Sequence, residues 1–218
     1  MIHPTLDWER ELLASGARSV AGVDEVGRGA LAGPVSVGVV VVDLHTLDAP
    51  PGLADSKLIS AHARESLVPR IREWCSDSAV GHASAAEIDA LGILGALRSA
   101  ALRGLSALSI APDVVILDGS HDWLSSREDL FSPAPAVVEP HVHVRVKADQ
   151  QCAAVAAASV LAKVERDRRL VEMDGAFPGY GFAQHKGYGS ASHREAIRTL
   201  GACEQHRRSW KLLPDPAN

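Results

Sequence analysis

Four carboxylates stand where apolar segments run out. Asp24 and Glu25 come late in Ser19–Val26, Asp118 closes Val114–Leu117, and Asp149 lies between an alternating valine segment and a long Ala-rich one. Charged groups rarely occupy such positions unless they are paired or bind metal. Brought together they repel, and hard divalent cations such as Mg²⁺ or Mn²⁺, which take oxygen ligands, relieve that repulsion. Two such ions can activate a water and stabilise a leaving oxygen in phosphodiester hydrolysis. Taken singly, each acid has a plainer use: Asp24 or Asp118 bonded to backbone amides, and Asp149 as the N-cap of the helix after it. Residue types and spacing therefore reach as far as a candidate metal-dependent phosphotransfer or hydrolase site.

The elements that must position these acids follow from periodicity. Residues 1–17 read as a short helix with Thr5 as cap and Trp8, Leu12 and Leu13 on one face. Ser19–Val26 and Val35–Val42 read as buried strands joined as an antiparallel hairpin through Gly27-Arg28-Gly29. Ser60 caps a helix to about Cys75, with a kink or break open at Pro69. A strand near Ala79–Ala83 precedes a helix with a Ser84/Glu87 capping box and the repeat Ile88, Leu91, Leu94, Leu97, Leu102, Leu105. Short strands end at Asp118 and before Asp149, with an irregular loop over Ser125–Pro135 between them. A long helix covers about Gln151–Met173, residues 175–190 form a Gly-rich loop, and Ala191–Leu200 is helical. This order predicts an α/β fold with a mixed central sheet flanked by helices and a small C-terminal helical lobe. The expected divisions are 1–18 as a helical extension, 19–164 as the core, and 165–218 as a helical and loop region completing the site. Asp24 and Glu25 are adjacent, so a regular strand sends them to opposite faces. Both serve one site only if the strand bends or ends there, for which Gly27 is suited.

Composition sets limits. The chain has 218 residues, 46% of them hydrophobic, which suits one domain or a domain with a small appendage. The formal charge of −5 argues against a nucleic-acid binder taken alone, but metal-site carboxylates inflate it and binding follows the local field. Basic residues cluster at Arg166, Arg168 and Arg169, at His185 and Lys186, and at Arg207 and Arg208; of these Lys186, His185, Arg166 and Arg207 are candidate phosphate contacts. No segment is apolar enough to span a bilayer, the first ten residues lack a signal-like apolar core, and three scattered cysteines suit a reducing compartment, so a cytoplasmic location is expected. Cys203 and His206 could be half of a zinc site, but no second pair accompanies them.

The surrounding motifs sharpen the reading. Val20-Ala21-Gly22-Val23-Asp24-Glu25-Val26-Gly27-Arg28-Gly29 with Leu31-Ala32-Gly33-Pro34-Val35 resembles the N-terminal motif of bacterial ribonuclease HII. The resemblance continues in order through Asp55-Ser56-Lys57, Ile116-Leu117-Asp118-Gly119, Val146-Lys147-Ala148-Asp149, Val155 to Val164 with Arg166-Asp167-Arg168, Tyr180-Gly181-Phe182, His185-Lys186-Gly187-Tyr188 and His206-Arg207-Arg208-Ser209. It covers roughly residues 19 to 211. It implies a ribonuclease H-like fold and a metal-dependent endonuclease acting on RNA–DNA hybrids and on single ribonucleotides embedded in duplex DNA, leaving 3′-hydroxyl and 5′-phosphate ends. It places the acidic and metal-binding positions at Asp24, Glu25, Asp118 and Asp149, the ions being Mg²⁺ or Mn²⁺. Gly27, Arg28 and Gly29 match its glycine-arginine-glycine element and Tyr188 its substrate-sensing tyrosine. Lys57, Ser159 and Lys186 are further expected substrate contacts. A monomer without membrane association is expected, with any replication or repair partner unnamed. The sequence departs from the family's pattern at Ala148, at Gln150 to Ala153, and at Leu58. Those departures motivate the alternative of a catalytically weak hybrid-binding protein of the same fold. Ribonuclease HIII, a relative with an added N-terminal domain, fits less well, because 18 residues before the first strand are too few for a domain.

Overall fold

Two β-branched, Gly-interrupted segments form the centre of the sheet. Ser19–Val26 (β1) and Val35–Asp43 (β2) pair antiparallel along all of β1, from Ser19 opposite Asp43 to Val26 opposite Ser36. Asp77–Ala83 (β3) adds antiparallel to β2, and Val114–Asp118 (β4) and His141–Arg145 (β5) add in parallel on the other side, giving the order β3-β2-β1-β4-β5. This is the mixed sheet the sequence predicts. The computed structural model describes residues 3–125 and 140–214, so the loop expected over Ser125–Pro135 falls, past Ser125, outside the described residues.

Helices cover both faces because β1 and β2 bury side chains on both. Val20, Val40, Val42 and Ile116 pack against the Ala-rich helix Ala153–Ala176 (α4), together with Asp7–Ala14 (α1) and Ala61–Trp74 (α2). Val23, Val37, Val39 and Leu117 pack against Ala85–Ser106 (α3) on the opposite face. The approach of α4 is close enough to require glycine. A Cβ on Gly22 or Gly38 would sit 2.3 Å from the Ala154 carbonyl carbon or 2.2 Å from the Ala158 oxygen. Any side chain at either position would push α4 off the strands. A third apolar cluster of Ala32, Leu170, Tyr180 and Phe182 anchors the C-terminal lobe, which carries Phe182–His185 (α5) and Ala191–Leu200 (α6).

Local signals survive with exceptions. Ser60 and Ser84 cap α2 and α3 as expected, the latter with Glu87 completing its capping box. Thr5 does not cap α1. Leu6 holds that position without a side-chain bond, and the Thr5 hydroxyl instead donates to Asp7 at 2.8 Å. Helix α2 runs on through Pro69. Helix α3 is broken at Gly92 (φ 70°), which shifts its phase: Ile88 and Leu97 are buried, but Leu91, Leu94 and Leu102 face solvent. The first residues dock on the start of α4, where Thr5 N–H donates to the Gln151 carbonyl and Ala153 N–H to that of Thr5.

Candidate active site

The parallel pairing of β1 and β4 sets Val23 beside Leu117, so the next step sets Asp24 beside Asp118. Both fall on the face that carries Val20 and Ile116, beneath α4. Asp24 is 3% exposed, and its Oδ2 is buried with no hydrogen-bond partner. Burial holds its carboxyl well above the usual carboxylate range; the Ser159 hydroxyl opposes the shift, and the charges of Glu25, Asp118 and Asp149 add to it. Asp118 accepts the Ala148 N–H at 2.7 Å, which fixes the chain leaving β5 against the end of β4.

Glu25 stays in the β1–β2 ladder, which runs through Val26, and β1 ends one residue after it, before Gly27 (φ +87°). The strand does not bend at Glu25 but ends beside it, the second of the two arrangements under which both acids serve one site. The Glu25 carboxylate lies 3.4 Å from the Arg28 guanidinium. Burial raises its pKa, Arg28 lowers it, and the Asp118 charge raises it again, so its field reaches the same place as that of Asp24.

Asp149 sits in a short 3-10 turn, Ala148–Gln150, entered through Lys147 in the left-handed region (φ 57°). The turn separates it from α4, whose N-cap is Cys152, so helix capping is not its role. Burial, then the charges of Asp118 and Asp55, push its pKa up to about 6. Lys57 Nζ stands 3.6 Å from Asp149 and 3.9 Å from Asp55, and most of its side chain is in solvent. Asp55 is a fifth acid that reasoning from strand ends missed. It is 4% exposed and caps its own turn by accepting the Lys57 N–H at 2.9 Å. The usable signal was its place in the Asp55-Ser56-Lys57 motif.

These groups suit a divalent cation. They are hard oxygen donors, neighbouring carboxylate charges help to raise the pKa of Asp24, Glu25 and Asp149, and one buried Asp24 oxygen is bare. Among the described residues no three acid, histidine or cysteine side chains close around a single point. An ion such as Mg²⁺, which keeps several waters, needs only one or two carboxylates from the protein.

The loop beyond β1 is fixed by buried cations. Gly27 adopts φ +87°, and a Cβ there would meet Arg166 Nε at 2.1 Å, so only glycine fits. Arg166 and Arg207 are fully buried, which corrects their reading as phosphate contacts. Arg166 donates to the carbonyls of Pro34, Ala32 and Lys186, and Arg207 to those of Gly27, Arg28 and Gly33. His185 is likewise committed inward, with Nε2 on the Tyr180 carbonyl and Nδ1 accepting the Gly187 N–H. Ser159 is fully buried with its hydroxyl on Ser56 Oγ at 2.8 Å, so it cannot touch a substrate directly. Lys186 is half-buried with its ammonium on the Ala183 carbonyl. Tyr188 is 38% exposed, with Arg166 5.4 Å and Lys163 5.8 Å from its ring centre. Arg28 and Gly29 remain exposed at the turn. Beside Arg28 opens a groove of about 1070 Å³, lined also by Gly119, Ser120, His121 and Trp123, the residues that follow Asp118.

Similarity to known proteins identifies the family. Residues 21–213 match the family model for ribonuclease HII. A ribonuclease HII of Streptomyces avermitilis is 46% identical over 96% of this chain and 84% of its own, and one of Thermus thermophilus is 45% identical over 93% and 88%. The crystal structure of ribonuclease H2 from Pyrococcus horikoshii superposes with a TM-score of 0.67 at 27% identity, covering 89% of this chain and 94% of that one. The chain belongs to the ribonuclease HII family.

Proposed function

We propose that this nuclease of the type 2 ribonuclease H class hydrolyses the RNA strand of RNA–DNA hybrids and incises duplex DNA at single embedded ribonucleotides. Asp24, Glu25, Asp118 and Asp149 hold the divalent cations, Mg²⁺ or Mn²⁺. The observation that carries this reading is the buried, unpartnered Asp24 oxygen beside Asp118 at the strand ends, a site whose own charges disfavour ionisation until a cation arrives. When bound, a pair of such ions supplies a hydroxide-like nucleophile and neutralises the leaving 3′-oxygen, which leaves 3′-hydroxyl and 5′-phosphate ends.

The chain's own residues do the rest. The Ala148 N–H orients Asp118, and Lys57 balances charge at Asp149 while presenting its ammonium to solvent and to a phosphate. Only the 2′-hydroxyl separates RNA from DNA at a given nucleotide. The Gly27-Arg28-Gly29 turn lies next to the acids with Arg28 and Gly29 exposed toward a sugar, and Tyr188 offers a ring face for the neighbouring deoxyribose. The groove beside Arg28 accommodates the duplex backbone.

The test is cleavage of a DNA duplex containing one ribonucleotide, with Mg²⁺ or Mn²⁺. Expected is incision at that ribonucleotide, leaving 3′-hydroxyl and 5′-phosphate ends, read by ligation and phosphatase sensitivity. Tight binding without cleavage in either metal would make the chain a hybrid-binding protein and overturn the reading.

A further inference from the structure

Two buried histidines lie behind Tyr188, and the catalytic reading uses neither. His193, on α6, is wholly buried and His206 is 1% exposed. Their Nε2 atoms are 3.1 Å apart. His193 Nδ1 is 2.9 Å from the Tyr188 carbonyl, and His206 Nδ1 is 3.0 Å from the Cys203 backbone nitrogen.

The partners at the two ends decide where the protons are. The Cys203 peptide N–H can only donate, so His206 Nδ1 accepts and the His206 proton is on Nε2. The Tyr188 carbonyl can only accept, so His193 carries its proton on Nδ1 and accepts on Nε2. The ring-to-ring bond therefore runs from His206 to His193, and all three bonds point the same way. A proton added to His193 Nε2 would set two donors face to face at the middle of the chain, and one added to His206 Nδ1 would face the Cys203 N–H at its start. Burial, followed for His193 by the neighbouring His185, His206 and Arg194 charges, pulls both below the usual histidine range, His193 to about 4.

The chain runs beside the groups that hold the turn at Arg28. Arg207, next to His206, donates to the Gly27 and Arg28 carbonyls at 2.6 and 2.7 Å. Leu31 N–H donates to the Gly187 carbonyl, Gly33 N–H to that of Gln205, and Arg207 N–H to that of Leu31. Three segments, 27–33, 185–193 and 203–207, are thus laced into one buried unit that carries Arg28 on one side and Tyr188 on the other.

We propose that His193 and His206 are positioning residues for ribonucleotide selection, setting the Tyr188 ring against the Arg28 turn through the directed chain from Cys203 N–H to the Tyr188 carbonyl. This rests on the reading above that Arg28 and Tyr188 sense the ribonucleotide junction. Neither histidine reaches the substrate. The chain holds the backbone of Tyr188 while Arg166 and Lys163 hold its ring.

The test compares kcat/KM of the full chain in Mg²⁺ on a duplex with one ribonucleotide and on a continuous RNA–DNA hybrid. His193→Leu removes both bonds, whereas the amide nitrogen of His193→Asn replaces Nδ1 and keeps the bond to Tyr188. The ratio of the two kcat/KM values should change about tenfold or more in His193→Leu, through KM more than kcat, and stay within about threefold of the parent in His193→Asn. Equal ratios in the two variants, measured at a temperature where both are folded, would overturn the proposal. Should His193→Leu fail to fold, His206→Gln, whose amide nitrogen reaches the Nε2 position, should keep the ratio and His206→Asn should lose it; no difference between them would overturn it equally. Tyr188→Ala separates the two levels. If it leaves the ratio unmoved, the reading of Tyr188 falls and this inference with it. If it moves the ratio while His193→Leu does not, only the histidine chain falls.

Discussion

The acids at the strand ends and the loops that carry Arg28 and Tyr188 are neighbours built on opposite principles. The acidic side is under-satisfied: Asp24 has a bare buried oxygen, and Asp24, Glu25 and Asp149 are all pushed toward protonation by burial and then by neighbouring carboxylates. The loop side is saturated, with two buried guanidinium groups spread over six carbonyls and two histidines locked into one tautomeric order. Unspent electrostatic energy is useful where a cation must bind, because the cation relieves it. It is harmful where discrimination depends on where a ring and a backbone turn stand, because slack of about 1 Å at such a site costs about a hundredfold in rate. One side stores strain for a ligand, and the other removes freedom.

The largest effect that sharpens this contrast is on cleavage. Asp24→Asn or Asp118→Asn should lower kcat at least about a thousandfold, since each removes a charge required for cation binding and transition-state stabilisation. Neither should lower the metal-free melting temperature, because Asn relieves a repulsion. The parent should melt higher in Mg²⁺ or Mn²⁺, and the variants should lose that gain. Thermal melts with and without metal check all three statements. The loop side should answer in the opposite sense. Arg207→Met leaves the Gly27, Arg28 and Gly33 carbonyls unpaired in the interior and should cost about 3–5 kcal/mol in urea unfolding. Arg207→Lys should recover little of this, because one ammonium cannot span the carbonyls that a planar guanidinium spans. A destabilised Asp24→Asn together with an unaffected Arg207→Met would erase the contrast.

The two sides were not equally legible in the sequence. Acids inside apolar strands announce themselves by residue type, so Asp24, Glu25, Asp118 and Asp149 could be picked out one by one, and the family's motifs joined them. That Asp24 and Asp118 share a face depends on the parallel register of β1 and β4, a pairing of distant segments that no local pattern encodes. The buried arginines were opaque for a different reason. Arginine is almost always at least partly exposed, so Arg166 and Arg207 read as surface cations until the carbonyls around them were seen. Secondary structure was legible to within a few residues wherever periodicity and caps agreed, as at Ser84. It failed where one backbone angle decides, as at Gly92, whose reversal turns Leu91 and Leu94 outward.

Glu9 tests whether a bare carboxylate oxygen is by itself a sign of function. Like Asp24 it is fully buried with one oxygen unpartnered, but it lies on α1, and its other oxygen accepts the Ala154 N–H at 2.8 Å. There it serves the start of α4, where Cys152 offers no side-chain cap. Burial raises its pKa from 4.5 to about 7, with the Asp7 charge adding to the shift and the amide bond and Arg145 opposing it. The folded state therefore keeps a proton that the unfolded chain gives up above pH 4.5. The contribution of Glu9 to stability is greatest below that pH, falls as pH rises through the interval from 4.5 to 7, and is gone above it. Glu9→Gln keeps an acceptor for Ala154 and never ionises. Relative to the parent it should be nearly neutral at pH 4.5 and more stable by about 3 kcal/mol at pH 8, read from urea unfolding at the two pH values, with kcat in saturating Mg²⁺ unchanged at a temperature where both are folded. A constant difference across pH would show that Glu9 ionises freely in the folded protein. A fall in kcat comparable to that of Asp24→Asn would extend the stored charge of the acidic side to α1, and the division between the two regions would have to be redrawn around α4.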